Sequence, residues 1–239
     1  MRKIIFITLA MVMLVSVMLV GADTACAAAG IKVGDVIQFG RFPWRVLDIE
    51  FGRALILTDV IIDEMEYCEH RSQEHSWGTC TIRQYLNGLF LNNNFSEQEK
   101  ARIAETRIRN DSNQWYGTNG GNSTNDRIFL LSIEEVVRYF GDSGLLRNTS
   151  NSAYSLVGDS GLLKNMPSNN AYFLDDQYNS SRIALKANGT ASWWWLRSIG
   201  YPNPSTYAAF VDYDGRINIG GYDVYNDSGG VRPALWLNL

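Results

Sequence analysis

The sequence predicts one α+β domain with small twisted antiparallel sheets, two or more helices and long irregular loops. Strand-like runs stand at both ends of the chain, whereas residues 79–140 carry helical spacing and two capping boxes. No linker-like break separates the β ends from the helical middle. A length of 239 residues suits one large domain preceded by a short segment of different composition.

The first residues have the features of a secretory signal peptide. A basic head, Arg2 and Lys3, precedes an apolar run over residues 4–20 and then a patch of small residues. The apolar run is close to the ~18 residues that would permit an uncleaved membrane anchor, which is the alternative. We predict a signal peptide over residues 1–28 and a domain over residues 29–239. The protein would then be secreted or at the cell surface, without a stable membrane span after cleavage.

Composition argues against two classes of protein. Charged residues make up 19% of the chain, below the usual ~25%, whereas the 7 Trp, 12 Tyr and 10 Phe are plentiful. Disordered chains are rich in charge and poor in aromatic residues, so disorder of the whole chain is not expected. A net charge of −4 gives no electrostatic footprint for nucleic acid, so we expect no nucleic-acid partner.

Strands are predicted from short alternating apolar runs bounded by turn residues. The first three runs suit an antiparallel meander, and Asp214-Gly215 between two later runs is a hairpin signal. The strands are expected over residues 36–40, 44–48, 54–58, 193–198, 208–212, 217–219 and 231–237.

Helices are predicted over residues 79–91, 96–105 and 133–140. Thr79 or Thr81 would cap the first. The second and third open with Ser-x-x-Glu capping boxes, in which the serine and glutamate side chains satisfy each other's backbone donors. Capping boxes are structural signals and carry no functional weight.

Two long loops are expected around the third helix. Residues 110–126 are rich in Asn, Ser, Thr and Gly, and long ordered loops are often functional. Residues 142–179 overlap a short repeat, GDSGLLRN at 141–148 and GDSGLLKN at 158–165. Two such short copies indicate local duplication and not a solenoid.

The early cysteines and histidines allow more than one interpretation. In an exported chain Cys68 and Cys80 would form a disulfide or remain free thiols, and spacing alone does not decide between them. Together with His70 and His75 they would make a tetrahedral zinc set, but their spacing matches no zinc finger. We therefore predict no metal at this site.

Signatures of catalysis are missing from the sequence. It has no nucleotide-binding glycine motif, and its acidic pairs have no spacing that singles out acid–base chemistry. Asp175, Asp176 and Asn179 offer oxygen ligands that would suit calcium, although a solvated acidic turn is the commoner explanation. We predict a protein that is not an enzyme and has no cofactor, with calcium as the open alternative.

The last third of the chain is rich in Tyr, Asn, Asp and Ser. Tyrosine gives rigid, amphipathic contact area, and the small polar residues give adaptable hydrogen bonds, as in antibody combining sites. Turns between strands would explain the small polar residues but not so many tyrosines. We predict a ligand-displaying tail over residues 199–230. Its candidate ligand contacts are Tyr201, Asn203, Ser205, Tyr207, Tyr213, Asp214, Arg216, Asn218, Tyr222, Asp223, Tyr225 and Asn226.

An ordered set of motifs across the whole mature chain resembles an uncharacterised bacterial exported domain family. That family is similar to the C-type-lectin-like fold of formylglycine-generating enzymes and of the variable proteins of diversity-generating retroelements. The motifs are FGRFPWRVLD (39–48), TCTIRQYLNGLF (79–90), NNFSEQEKARI (93–103), DRIFLLSIEEV (126–136), WWLRS (194–198) and GGVRPALWLNL (229–239).

The resemblance implies one C-type-lectin-like domain whose long loops display ligand contacts. The oxidase members use a reactive cysteine pair late in the domain, but this chain has no cysteine after Cys80, so those catalytic residues do not carry over. The retroelement members diversify scattered positions near the C-terminus, which matches the candidate contacts. Residues that flank them would be scaffold, with Arg197 and Arg232 as buried polar anchors: Trp194, Leu196, Arg197, Val231, Arg232 and Ala234.

Three functions are in contention. The first is an exported, non-catalytic binding module whose Tyr/Asn-rich surface holds a protein or glycan ligand on a cell or phage surface, as in a retroelement-diversified protein. The alternative is an enzyme of the formylglycine-generating or cell-wall-modifying type. The third is a structural domain of a cell-surface assembly.

Overall fold

A computed structural model describes residues 30–69, 75–144, 173–201 and 207–239. The predicted signal peptide, the second copy of the short repeat and His70 lie outside the described residues. No helix in the described part of the chain is long and apolar enough to cross a membrane.

Most of the strands in the described residues are short. In chain order they are β1 (Val36–Phe39), β2 (Phe42–Glu50), β3 (Arg53–Thr58), β4 (Asp63–Glu64), β5 (Thr106–Ile108), β6 (Thr124–Asp126), β7 (Phe173–Leu174), β8 (Ala184–Leu185), β9 (Ala191–Ser192), β10 (Trp194–Ile199), β11 (Tyr207–Val211), β12 (Ile217–Asp223), β13 (Gly230–Val231) and β14 (Ala234–Asn238).

The helices occupy the middle of the chain, as predicted. They are α1 (Thr81–Tyr85), a π-helical turn (Leu86–Phe90), α2 (Leu91–Asn94), α3 (Glu97–Arg102), α4 (Ile133–Phe140) and α5 (Asn179–Arg182). Both predicted capping boxes are present, at the starts of α3 and α4.

The predicted threonine cap of α1 is wrong. Its N-cap residue is Cys80, which makes no side-chain capping bond. The two threonine hydroxyls bond elsewhere: Thr79 Oγ1 accepts from the Ser76 N–H, and Thr81 Oγ1 accepts from the Glu69 N–H. These two hydrogen bonds therefore fix backbone that precedes helix α1, and they do not cap the helix.

One antiparallel sheet joins the two ends of the domain. Its strand order is β1-β2-β3-β14, so the predicted N-terminal meander is confirmed and the last strand pairs with it. Trp236 of β14 lies opposite Leu55 of β3 in the register. The C-terminal strand thus closes the domain onto its first strands.

A second sheet carries the C-terminal third. Its order is β4-β13-β10-β11-β12-β7, and only the β10–β13 pair is parallel. The predicted hairpin at Asp214-Gly215 is confirmed, because Gly215 has φ +85° and its N–H donates to Asp212 O at 2.9 Å. These pairings place β10, β11 and β12 side by side.

The predicted single strand over residues 231–237 is wrong. The chain leaves the second sheet after Val231 and enters the first at Ala234. Proline lacks the N–H that a strand interior needs, so Pro233 marks the crossing between the sheets. The described residues form an α+β architecture with several small, mainly antiparallel sheets.

The two arginines predicted as buried anchors are buried. Arg197 Nη1 donates to the Leu130 carbonyl at 2.8 Å, and Arg232 Nε donates to the Thr58 carbonyl at 2.9 Å. The Arg232 guanidinium also lies over the buried Trp194 ring, 5.0 Å from its centroid. Burial lowers the pKa of Arg232 to about 10. Each arginine joins segments far apart in the chain.

Candidate ligand-binding site

A cluster of aromatic rings covers one face of the second sheet. The Trp193 ring lies 5.2 Å from Phe210 and 5.7 Å from Tyr222, between ring centroids, and meets both edge-on. Trp195 packs beneath it, with centroids 4.7 Å apart. Tyr222 is 48% exposed and Trp193 is half-buried, so the cluster reaches solvent. We call Trp193, Phe210 and Tyr222 the aromatic face.

Strand register explains why these rings meet. Trp195 of β10 lies opposite Phe210 of β11, and Ala208 of β11 lies opposite Tyr222 of β12. Residues opposite one another project from the same side of a sheet, and so do residues two apart along a strand. Trp193, two residues before Trp195, therefore joins the same side.

A bulge in β12 directs Tyr222 towards this cluster. Gly221 has φ +84°, and a Cβ there would lie 2.5 Å from the Ala208 carbonyl oxygen. Its N–H donates to Asn218 Oδ1 at 2.7 Å. Asn218, predicted as a ligand contact, thus holds the backbone bulge.

A polar rim borders the aromatic face where β11 begins and β12 ends. Tyr207 lies opposite Asp223 there, and Asp223 is exposed. The Asp223 carboxylate accepts the Tyr225 N–H at 3.0 Å, and its carbonyl accepts the Asn226 N–H at 3.0 Å. Four of the predicted contacts therefore lie together beside the rings: Tyr207, Asp223, Tyr225 and Asn226.

Three other predicted contacts lie at the opposite end of these strands. Tyr213, Asp214 and Arg216 form the β11–β12 hairpin, about 13 Å of strand away from Tyr207. Arg216 Nε donates to Asp214 Oδ2 at 2.7 Å, and its guanidinium lies 4.5 Å from the Phe173 ring centroid. The predicted tail is therefore two surfaces and not one.

The remaining predicted contacts add little to the predicted ligand-binding surface. Tyr201 packs edge-on against Tyr116, with centroids 5.4 Å apart, and its N–H donates to Gly220 O. Asn203 and Ser205 lie outside the described residues.

Trp193 and Phe210 were not among the predicted contacts. Their signal was present in the run Trp193-Trp194-Trp195, because alternation in a strand puts the first and third side chains on one side and the second on the other. The partner rings come from strands whose pairing only the fold reveals.

The sequence pattern of a domain of unknown function (DUF6273) matches residues 51–239, which include the whole second sheet. The chain belongs to the DUF6273 family. No curated protein and no solved structure matches it. The match begins at the β2–β3 turn, so β1 and β2 precede the matched DUF6273 region although β2 pairs with β3 inside it.

A buried chain of polar groups lies beside the polar rim of this DUF6273 domain. His75 Nδ1 is 3.2 Å from Cys68 Sγ, and His75 Nε2 is 2.8 Å from the Tyr225 hydroxyl. A thiol, an imidazole and an orienting hydroxyl in this order resemble a nucleophile with its base. However, Cys68 is only 2% exposed, and it lines neither of the two cavities described below.

Both cysteines in the described part of the chain, Cys68 and Cys80, are free thiols. Cys80 Sγ donates to the Trp77 carbonyl at 3.1 Å, and burial raises the Cys80 pKa well above its ordinary value. Across the described residues, no group of three or more His, Cys, Asp or Glu side chains is arranged to hold a metal ion. The predicted zinc alternative also needs His70, which is not described.

The residues that were considered as calcium ligands instead bind protein groups in and around helix α5. Asp176 accepts from Arg182 Nη2 at 2.8 Å, and Asp175 accepts from Asn179 Nδ2 at 2.7 Å. Burial works against the charged Asp176 carboxylate, but hydrogen bonds from Arg182 and from the Tyr178 N–H outweigh it and lower its pKa. Protein donors thus engage the oxygens that would otherwise face a cation.

Proposed function

We propose that this protein is an exported, non-catalytic binding module that holds a protein or glycan ligand of a cell or phage surface on the aromatic face. One observation carries the proposal: the half-buried Trp193 ring and the exposed Tyr222 ring reach the surface while they pack edge-on against each other and against the buried Phe210 ring. Tryptophan and tyrosine dominate the energetic centres of recognition surfaces.

A ligand that covers the aromatic face gains enough binding free energy from burial of apolar surface for recognition. A tryptophan or tyrosine ring covers ~150–250 Å², so covering the exposed half of Tyr222 removes on the order of 100 Å² from water. At ~25 cal/mol per Å², this contributes about 2–3 kcal/mol. Asp223 and Tyr207 beside the rings supply the hydrogen bonds that orient a ligand.

The finer part of the proposal concerns origin and fold. A C-type-lectin-like domain exported by the segment over residues 1–28 would present the tail, residues 199–230, outside the cell. Diversification by a retroelement would explain its Tyr, Asn, Asp and Ser content. Sequencing the neighbouring DNA tests this: a reverse transcriptase and a near-copy of the tail are expected, and their absence rejects diversification.

The contact between Cys68 and His75 favours the enzyme alternative. Because the late cysteine pair of the formylglycine-generating oxidases is missing here, an enzyme of that type or of the cell-wall-modifying type would have to use the Cys68 thiol, with His75 as its base. Metal analysis of the purified protein, with and without Cys68→Ser, tests this function. Bound copper or zinc that is lost in the variant would support it, and absence of both metals would remove its main support.

Ligand screening with matched tyrosine variants tests the binding function. The protein is applied to a glycan array and to an array of extracellular bacterial and phage proteins. Tyr222→Ala and Trp193→Ala should reduce binding to a retained ligand at least tenfold, with little change in the Tm of Tyr222→Ala. Tyr213→Ala is the control, because Tyr213 is 59% exposed but lies at the hairpin end. Binding that survives Tyr222→Ala and fails in Tyr213→Ala would reject the aromatic face.

A further inference from the structure

A separate cleft lies on another part of the domain. Its volume is about 600 Å³, within the ~300–1,000 Å³ range of small-molecule sites. One wall is the segment 109–115, the other is helix α4, and Arg197 and Ser198 also line it. A smaller cavity of about 310 Å³ shares Arg109, Glu134 and Arg138 with it. The described residues of the tail, 199–201 and 207–230, do not line either cavity.

The fold holds the walls of this cleft in place. Asn113 is buried, and its Nδ2 donates to the carbonyls of Ile199 and Ile219, each at 2.9 Å. Arg197 donates to Glu135 on helix α4 and to the Arg109 carbonyl at 3.2 Å. Both walls are therefore anchored to the second sheet, and a ligand would not have to order them.

The charges that line the cleft balance. Three arginines, 109, 138 and 197, face three acidic residues, 111, 134 and 142. A cleft with no excess of either sign does not favour a polyanion such as nucleic acid or a polycation. It suits a ligand that carries both signs.

Two of these charges remain available one helical turn apart. Glu134 and Arg138 are both exposed on α4, and no ion pair joins them among the described residues. Arg138 makes a long ion pair with Asp48, at 3.7 Å, and its guanidinium lies 5.2 Å from the Tyr139 ring centroid. One turn of helix spans about 5.4 Å, whereas an extended dipeptide spans about 6.6–7.2 Å at ~3.3–3.6 Å per residue, so the two long side chains must spread slightly to reach both of its ends.

The floor of the cleft suits an apolar group. Trp115, Ile133 and Val137 line the cleft between its charged side chains. A ligand that carries one apolar side chain beside its two charged ends therefore matches this lining.

We propose that this cleft binds a short peptide, of dipeptide size, by its two free ends. Glu134 pairs with the terminal ammonium group, Arg138 with the terminal carboxylate, and an apolar side chain lies over Trp115, Ile133 and Val137. This site is independent of the aromatic face, and neither proposal requires the other.

Titration with the dipeptide alanyl-leucine, followed by backbone amide NMR, tests this site. Shifts should be confined to residues 109–115, 132–138 and their neighbours. Acetylating the amino end or amidating the carboxyl end should each weaken binding about tenfold. Glu134→Gln should remove the effect of acetylation alone, and Arg138→Gln the effect of amidation alone. Arg41→Gln, an exposed arginine in the β1–β2 turn, is the control and should change neither.

Three outcomes would overturn the proposal. The first is no shift at about 20 mM dipeptide. The second is equal binding of the doubly blocked peptide. The third is tighter binding of maltose or inorganic phosphate, which would assign the cleft to a neutral sugar or an anion.

Discussion

The guanidinium of Arg197 makes a two-point ion pair with the carboxylate of Glu135. Glu135 is also the third residue of helix α4, where its carboxylate accepts the Ser132 N–H at 2.9 Å and completes the capping box. The Glu135 carboxylate therefore caps the start of helix α4 and also fixes that helix to strand β10. The position of the cleft wall that helix α4 forms depends on both of these interactions.

Replacement of Arg197 should destabilise the domain strongly. Arg197→Met leaves Glu135 without its partner and the Leu130 carbonyl without its donor. Removal of one partner of a fully buried pair costs about 3–5 kcal/mol, and because the Glu135 side chain is 26% exposed, the loss here should be smaller, about 2–3 kcal/mol. Urea denaturation measures the change in the free energy of unfolding. Arg109→Gln is the control, because its ion pair with Asp111 is 78% and 52% exposed and should contribute less than about 1 kcal/mol. Equal losses in the two variants would contradict this account.

The ion pair of Asp176 and Arg182 should make the stability of the folded domain depend on pH in the acid range. The pKa of Asp176 is lower in the folded protein than in the unfolded chain, so the unfolded state binds the proton more readily. The stabilisation is complete above the unfolded pKa of ~3.9 and is lost as the pH falls through the lower folded pKa. Thermal unfolding between about pH 2 and 7 should show a shallower acid decline in Asp176→Asn than in the parent.

Asp175→Asn is the matched control for that series. Asp175 is exposed and accepts from Asn179, whereas Asp176 accepts from an arginine. A decline in Asp176→Asn as steep as in the Asp175→Asn control would show that the acid sensitivity arises elsewhere.

Local sequence patterns predicted those parts of the fold that depend on neighbours in the chain. The capping boxes at Ser96 and Ser132 and the hairpin at Asp214-Gly215 are examples, because each is decided within four residues. The crossing at Pro233 was missed because runs on both sides of it are equally strand-like, and only long-range pairing assigns them to different sheets.

For the two candidate sites, too, the sequence predicted the local features and missed those that depend on long-range pairing. Tyr222 and Asp223 stand out by composition, but Trp193 joins them only because β10, β11 and β12 are neighbours. The cleft is beyond sequence patterns for the same reason. Arg109 and Glu134 are 25 residues apart, and their approach depends on Asn113 and Arg197.

Cys68 and Cys80 should be unreactive in the folded protein. Cys68 and Cys80 are buried, and burial raises the pKa of Cys80, which keeps it protonated at neutral pH. Alkylation with iodoacetamide near pH 8 should label neither in the native state, and both after unfolding without a reductant. A mass two hydrogens lower and no labelling after unfolding would show that they form a disulfide instead.

Replacement of Gly221 should damage both stability and the aromatic face. Gly221→Ala places a side chain at φ +84° and brings its Cβ to 2.5 Å from the Ala208 carbonyl oxygen, in the strand beside Tyr222. Gly189→Ala is the matched control, because Gly189 has φ +82° but nothing within 4 Å of its Cβ position. Backbone strain at positive φ costs about 1–3 kcal/mol in both variants. The overlap with the Ala208 carbonyl is present only in the Gly221 variant, and because overpacking costs about 1–3 kcal/mol, that variant should lose about 2 kcal/mol more than the control. Urea denaturation gives both values, and NMR shifts of the Trp193 and Tyr222 rings should change only in Gly221→Ala. Equal losses would mean that the bulge yields to the new side chain, and that it does not fix the direction of Tyr222.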